Sequence, residues 1–211
     1  MSTTEFTHVS EPGLIGGSRI IAPLSDEMLD KSHALQEAYS DEFGNSHLHL
    51  PHRTELNVTF ARLIIPEPSE SAISVNSRIE AMRPTIASAL NRTVELNGEP
   101  FEVAAAFDTL EAIQSEVMIV APDNGHMNQL RRLFTAGLQA SMYESVPTTL
   151  SVTPVQFAGE LPMPQVEAFT NSLKKYFTPV KTTFTSLQLV REARPGQLAK
   201  IIEEFPARKK L

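Results

Sequence analysis

The sequence predicts an α+β fold built from two copies of one unit, and two observations carry that prediction. The run IIAP at 20–23 precedes a helical pattern and then LNVTF at 56–60, and the run IVAP at 119–122 precedes a helical pattern and then LSVTP at 150–154. Both later runs alternate apolar and polar residues with period two, the mark of a half-buried strand. The repeat distance is close to half the chain, so the pattern reads as a duplication rather than a solenoid. The expected architecture is one bilobal domain over 18–206, with two antiparallel or mixed sheets and lobes related by a pseudo-two-fold axis. The two polar-Val-Thr strands then face each other across a central cleft.

Each element follows from local pattern. Ser18–Leu24 reads as a strand. Ser25 is a good helix N-cap, with Asp26 and Glu27 in the first turn where the helix dipole favours acids. Met28, Leu29, His33, Leu35, Ala38, Tyr39 and Phe43 recur at helical spacing, and Gly44-Asn45 ends the helix. A histidine-rich loop leads into a strand from Glu55 to Ile65, broken by Pro66 and Pro68. A second helix is expected over Val75–Leu90, with Pro84 interrupting or restarting it. Asn97-Gly98 reads as a hairpin signal between strands. Ser115–Ala121 is a strand, the stretch from Pro122 to Gly125 a turn, and His126–Met142 a helix with Met127, Leu130, Leu133, Phe134 and Leu138 on its core side. A strand over Thr148–Gly159 carries the second copy of the motif. A helix over Gln165–Phe177 and a strand over Phe184–Arg191 follow. Arg194-Pro195-Gly196 turns the chain into a closing strand over Leu198–Phe205. Residues 1–17 are expected to form a flexible tail and 207–211 a basic one.

Composition narrows the function. The chain has 211 residues, 41% of them hydrophobic, which is enough for a sizeable core. A formal net charge of −7 argues against a partner made of long nucleic-acid tracts, which need a basic surface. There are 0 cysteines, so no disulfide framework, thiol nucleophile or cysteine zinc site exists. No apolar run reaches the roughly 18 residues of a membrane span. The polar N-terminus has no secretory pattern, and a cytoplasmic location is the expectation.

Period two places Glu55, Asn57, Thr59 and Ala61 on one strand face, and Thr149, Ser151 and Thr153 on the corresponding face of the second copy. Asn57, Thr59, Ser151 and Thr153 are therefore the candidate ligand-binding residues. Threonine is an ordinary strand residue, so it is the repetition that lifts these four above two ordinary strands. By alternation Arg62 lies opposite Asn57, outside the cleft, and the facing of Arg191 is open. His47, His49 and His52 have two functional readings, as ligands of a metal or as acids and bases reaching the cleft. Their bland reading is a solvated loop, and no carboxylate stands at a convincing metal-ligand spacing. His126 at a helix start reads as a local cap. No metal and no cofactor is expected.

The order of strand, Ala-Pro turn, helix and polar-Val-Thr strand, met twice, resembles the two-histidine (2H) phosphoesterase superfamily, which includes 2′-5′ RNA ligase-like proteins and cyclic phosphodiesterases. The segment PFEVAAAFDTLEAIQSEVMIV and the closing FTSLQLVREARPGQLAKIIEEF belong to the resemblance, which implies a duplicated bilobal fold with one His-x-Thr-hydrophobic motif per lobe. Thr59 and Thr153 match the motif threonines. Asn57 and Ser151 stand where the resemblance implies histidines, so no catalytic residue is assigned. Asparagine does not titrate, and a serine hydroxyl is a poor base without a partner. The expectation is a degenerate member that binds a small nucleotide or RNA-end phosphate. The alternatives are a 2′,3′-cyclic phosphodiesterase using the nearby histidines, and a non-enzymatic protein-interaction domain with an unknown protein partner.

Overall fold

The computed structural model describes residues 16–66, 69–96, 103–113, 115–122, 132, 134–136, 138, 149–159, 161–194 and 197–206. Of the expected tail at 1–17, residues 1–15 lie outside the described residues, as do 207–211, the Asn97-Gly98 turn, His126 and most of its helix, and Pro195-Gly196; Gly16 and Gly17 are buried, with Gly17 O accepting from Glu192 N–H at 3.0 Å.

The described chain runs β1 (Ser18–Pro23), α1 (Asp26–Phe43), a short 3-10 turn at Asn45–His47, β2 (Leu48–His49), β3 (Asn57–Ile64), α2 (Ala72–Leu96), β4 (Val103–Phe107), β5 (Thr109–Ile113) and β6 (Glu116–Ala121). It continues through β7 (Leu150–Phe157), α3 (Met163–Lys174), β8 (Val180–Phe184), β9 (Ser186–Arg194) and β10 (Gln197–Pro206). Two four-stranded sheets form, ordered β10-β9-β1-β3 and β2-β7-β6-β5, with β4 and β8 as a separate pair. Every pairing among the described strands is antiparallel.

Ser25 caps α1 by accepting from the backbone N–H of Met28 at 3.4 Å. Gly44 ends the helix with φ of 77°, where a side chain is disfavoured, and its N–H closes on Ser40 O. The Pro84 expectation fails: α2 is continuous, with Pro84 inside it. One proline removes one backbone hydrogen bond, while Val75, Ile79, Ile86 and Ala89 bury a face on both sides of it. That shared burial holds the two halves of α2 in line. The same helix extends to Leu96, so the residues before Asn97 are not a strand. The histidine segment is also more ordered than a loop, because β2 pairs Leu48 with Phe157 and His49 with Gln156. A strand that pattern alone missed, β8, pairs with β4.

The two copies are present but exchanged. Helix α1 of the first copy packs on the second sheet, where Gln36 donates to Pro154 O on β7 at 3.0 Å. Tyr39 on α1 joins Val117, Val155, Phe157 and Val166 in the core there. Reciprocally, Phe134, in the helical stretch 134–136 of the second copy, meets Phe60 of β3 edge to face with centroids 5.4 Å apart. Each copy therefore covers the motif strand of the other. Strands β3 and β7 also touch directly.

Candidate functional site

Strand β3 carries the first pair of candidates, Asn57 and Thr59. Val58 and Phe60 are fully buried, while Asn57 and Thr59 between them are only partly buried. The register pairs Pro23 with Asn57 and Ile21 with Thr59, so these residues share the face turned away from the first sheet's helices. Beyond Thr59 the alternation breaks. Ile20 pairs with Ala61, leaving Phe60 as an extra residue on β3, and Arg19 pairs with Arg62. At such a bulge two successive residues on one strand oppose a single partner. Phe60 and Ala61 are both 0% exposed, as two residues turned inward together must be. Two expectations are corrected by this bulge. Ala61 leaves the cleft face for the core, and Arg62 turns onto the face of Thr59.

Arg19 dominates this strand face. Its Nη1 donates to Thr59 Oγ1 at 3.0 Å and stands at 3.5 Å, a longer contact, from Asn57 Oδ1. Its Nε lies 2.7 Å from Glu192 Oε1, with both side chains 10% exposed. That Nε–H is not aimed at the carboxylate, and Nη2 is buried with no hydrogen-bond partner among the described residues. Burial lowers the Arg19 pKa most, Arg62 lowers it further, and Glu192 opposes both. A guanidinium still stays charged in a protein, so the face holds a permanent cation. Asn57 donates its own amide to Glu55 O at 2.6 Å. These two contacts orient the Asn57 amide and leave one of its N–H donors and one oxygen lone pair over.

Strand β7 carries the second pair of candidates, Ser151 and Thr153. Leu150 and Val152 are buried, and Ser151 and Thr153 between them are half-buried on the opposite face. Met118 of β6 faces two residues of β7, Thr153 and Pro154, because Val117 pairs with Val155 while Ile119 pairs with Val152. A bulge is the place in a sheet interior where proline, with no N–H to give, is tolerated.

The remaining candidates separate. His47, His49 and His52 are all exposed. His52 Nδ1 is 2.9 Å from Thr54 Oγ1, and His49 stands across from Gln156. Among the described residues no group of three or more His, Asp or Glu side chains is placed to hold a metal ion. Arg191 pairs with Ser18 while its neighbour Val190 pairs with Arg19, so Arg191 faces away from the cleft.

Sequence reading misses Arg19 and Glu192. Arg19 reads only as part of a strand end, although a charged residue two places before an apolar Ile21 in that strand shares its face. Its partner Glu192 lies on β9, and only the β1–β9 pairing reveals the contact.

The fold is LigT-like and spans nearly the whole chain. Among solved structures, TT0787 of Thermus thermophilus superposes with a TM-score of 0.59 at 14% identity, covering 92% of this chain and 99% of that one. E. coli LigT complexed with 3′-AMP gives a TM-score of 0.57 at 10% identity, with coverage of 92% and 99%. The conserved protein of unknown function ATU0111 from Agrobacterium tumefaciens str. C58 gives 0.65 at 8% identity, with coverage of 96% and 91%. Neither a family model nor a curated protein matches the sequence.

Proposed function

We propose that the cleft binds the phosphate of a small nucleotide or an RNA end and does not hydrolyse it. The observation that carries this reading is the buried Arg19, whose Nη1 is fixed on Thr59 and whose Nη2 has no partner among the described residues. A buried polar hydrogen left unpaired is costly, and a phosphate oxygen is a strong acceptor that also meets the positive charge. Thr59, Ser151 and Thr153 add hydroxyls that can donate to the same anion. E. coli LigT, a structure of the same fold, has been crystallised with 3′-AMP, NADP+, ATP and phosphate, which supports phosphate chemistry for the cleft.

Turnover is another matter. Asn57 has no titrating group, and its amide is already committed to Glu55 and Arg19. General acid–base catalysis contributes roughly 10²–10⁴-fold per group, so a cleft with neither group loses most of the rate by that route. We place the protein in the cytoplasm, the reducing compartment that its cysteine-free sequence favours.

Phosphorus NMR with a 2′,3′-cyclic nucleotide tests both halves of the reading. The expected result is a shifted or broadened ligand signal and no product. A growing monoester signal would overturn the non-catalytic half. Replacing Thr59→Ala together with Thr153→Ala should abolish the shift in a protein that still unfolds cooperatively. Unchanged affinity in that double variant removes the binding half.

A further inference from the structure

We infer that Arg62 is a second anion-binding residue of the cleft, standing outside Arg19 at its mouth. The inference rests on the phosphate-binding reading above and adds a residue that strand alternation excludes. Three observations meet on it. The extra residue at Phe60 turns Arg62 onto the Thr59 face, directly across from Arg19. Arg62 also acts on Arg19 electrostatically, since its charge lowers the Arg19 pKa. Finally, Arg62 is exposed and stands in none of the ion pairs among the described residues. Other arginines nearby in sequence behave differently: Arg53 reaches Asp26 and Asp30, Arg78 reaches Glu70, and Arg83 reaches Glu80 and Glu203.

Like charges directly opposite each other on neighbouring strands repel, with Cβ atoms about 4.5–5.5 Å apart. The fold keeps such a pair here, with Glu192 beside Arg19. An anion lodged beside the two guanidinium groups relieves the repulsion. The two arginines divide the work by their mobility. Arg19 is 8% exposed and locked from two sides, so it sets where the anion sits. Arg62 reaches in from the surface on a long side chain, and its planar fork can close on two oxygens at once.

The test is a calorimetric titration of the full chain with inorganic phosphate, using wild type, Arg62→Gln, Arg62→Lys and the Thr59→Ala, Thr153→Ala pair. Arg62→Gln should weaken phosphate binding about tenfold, the size of one charge-assisted hydrogen bond. Arg62→Lys should recover part of that loss, because it keeps the charge without the fork. Near about 1 M salt, where exposed charges are screened within about 3 Å, the gap between wild type and Arg62→Gln should narrow. An Arg62→Gln affinity within about twofold of wild type, alongside a Thr59/Thr153 variant that no longer binds, would overturn the role of Arg62 and leave the cleft reading standing. Absence of phosphate binding by the wild type overturns both.

Discussion

Replacing Arg19 with methionine should both silence the cleft and destabilise the fold, and a second substitution separates the two effects. Arg19 and Glu192 are each 8% exposed and 2.7 Å apart. At an effective dielectric of about 20 their attraction is on the order of 6 kcal/mol, most of it offset by the cost of taking two ions out of water. Removing only Arg19 leaves the Glu192 carboxylate buried without the arginine's charge, a loss of about 3–5 kcal/mol. For a chain of this length each kcal/mol moves the melting temperature by roughly 2–4 °C, so Arg19→Met should melt about 6–20 °C lower. Adding Glu192→Leu removes the buried carboxylate and should return most of that stability, because a buried ion pair exchanged for packed apolar side chains is often neutral or stabilising. Phosphate binding should stay lost in both variants. Thermal denaturation followed by circular dichroism, paired with the phosphate titration, reads both quantities. A single variant as stable as wild type, or a double variant no better than the single, refutes the assignment of Arg19–Glu192 as a desolvated pair. A double variant that regains binding refutes Arg19 as the anion's partner.

Three further outcomes follow from other parts of the molecule. The Thr170 hydroxyl donates to Val166 O at 2.6 Å, so Tyr39 must donate to Thr170, and burial raises the Tyr39 pKa. A raised folded-state pKa means that the native state holds its proton longer, so this contribution is intact below about pH 10 and fades above it. Tyr39→Phe should therefore cost about 1 kcal/mol at pH 8, and its stability gap to wild type should shrink by pH 11 in denaturant melts; a constant gap contradicts the assignment. Gly17→Ala puts a Cβ 1.8 Å from Ile64 O, whereas Gly159→Ala meets, among the described residues, His47 Nδ1 at an ordinary 3.7 Å. The first should fail to yield soluble folded protein and the second should melt like wild type, with equal yields arguing against the tight entry into β1. Replacing His47, His49 and His52 together by alanine should leave phosphate affinity unchanged, and a clear loss would bring the histidine segment back into the site.

Much of the fold is legible because burial imposes period. The alternation in LNVTF and LSVTP gives β3 and β7, Ser25 and Gly44 bracket α1 by their own chemistry, and the repeated order of elements gives the duplication. What escapes has a physical cause in each case. Pro84 reads as a break because local propensity cannot weigh the buried stripe of α2 on both sides of it. The facing of Arg62 escapes because one bulge reverses parity and leaves no mark in composition. Arg19 escapes because its significance lies in Thr59 and Glu192, partners brought to it by two different strands. The candidate pair of Asn57 and Thr59 is legible as a face, while the cation that gives that face its chemistry is not.

The exchange of helices between copies, with β1 lying between β3 and β9, has a consequence for how the protein is made. Strand β1 is synthesised long before β9, the neighbour it needs before its sheet can close. The first copy cannot finish alone, because α1 rests on a sheet that has not yet been synthesised. Such long-range pairing slows folding and leaves apolar faces uncovered in the meantime. A stop codon before β9 would release a chain with Arg19 exposed to water and no Glu192 to meet it, rather than a working half-protein.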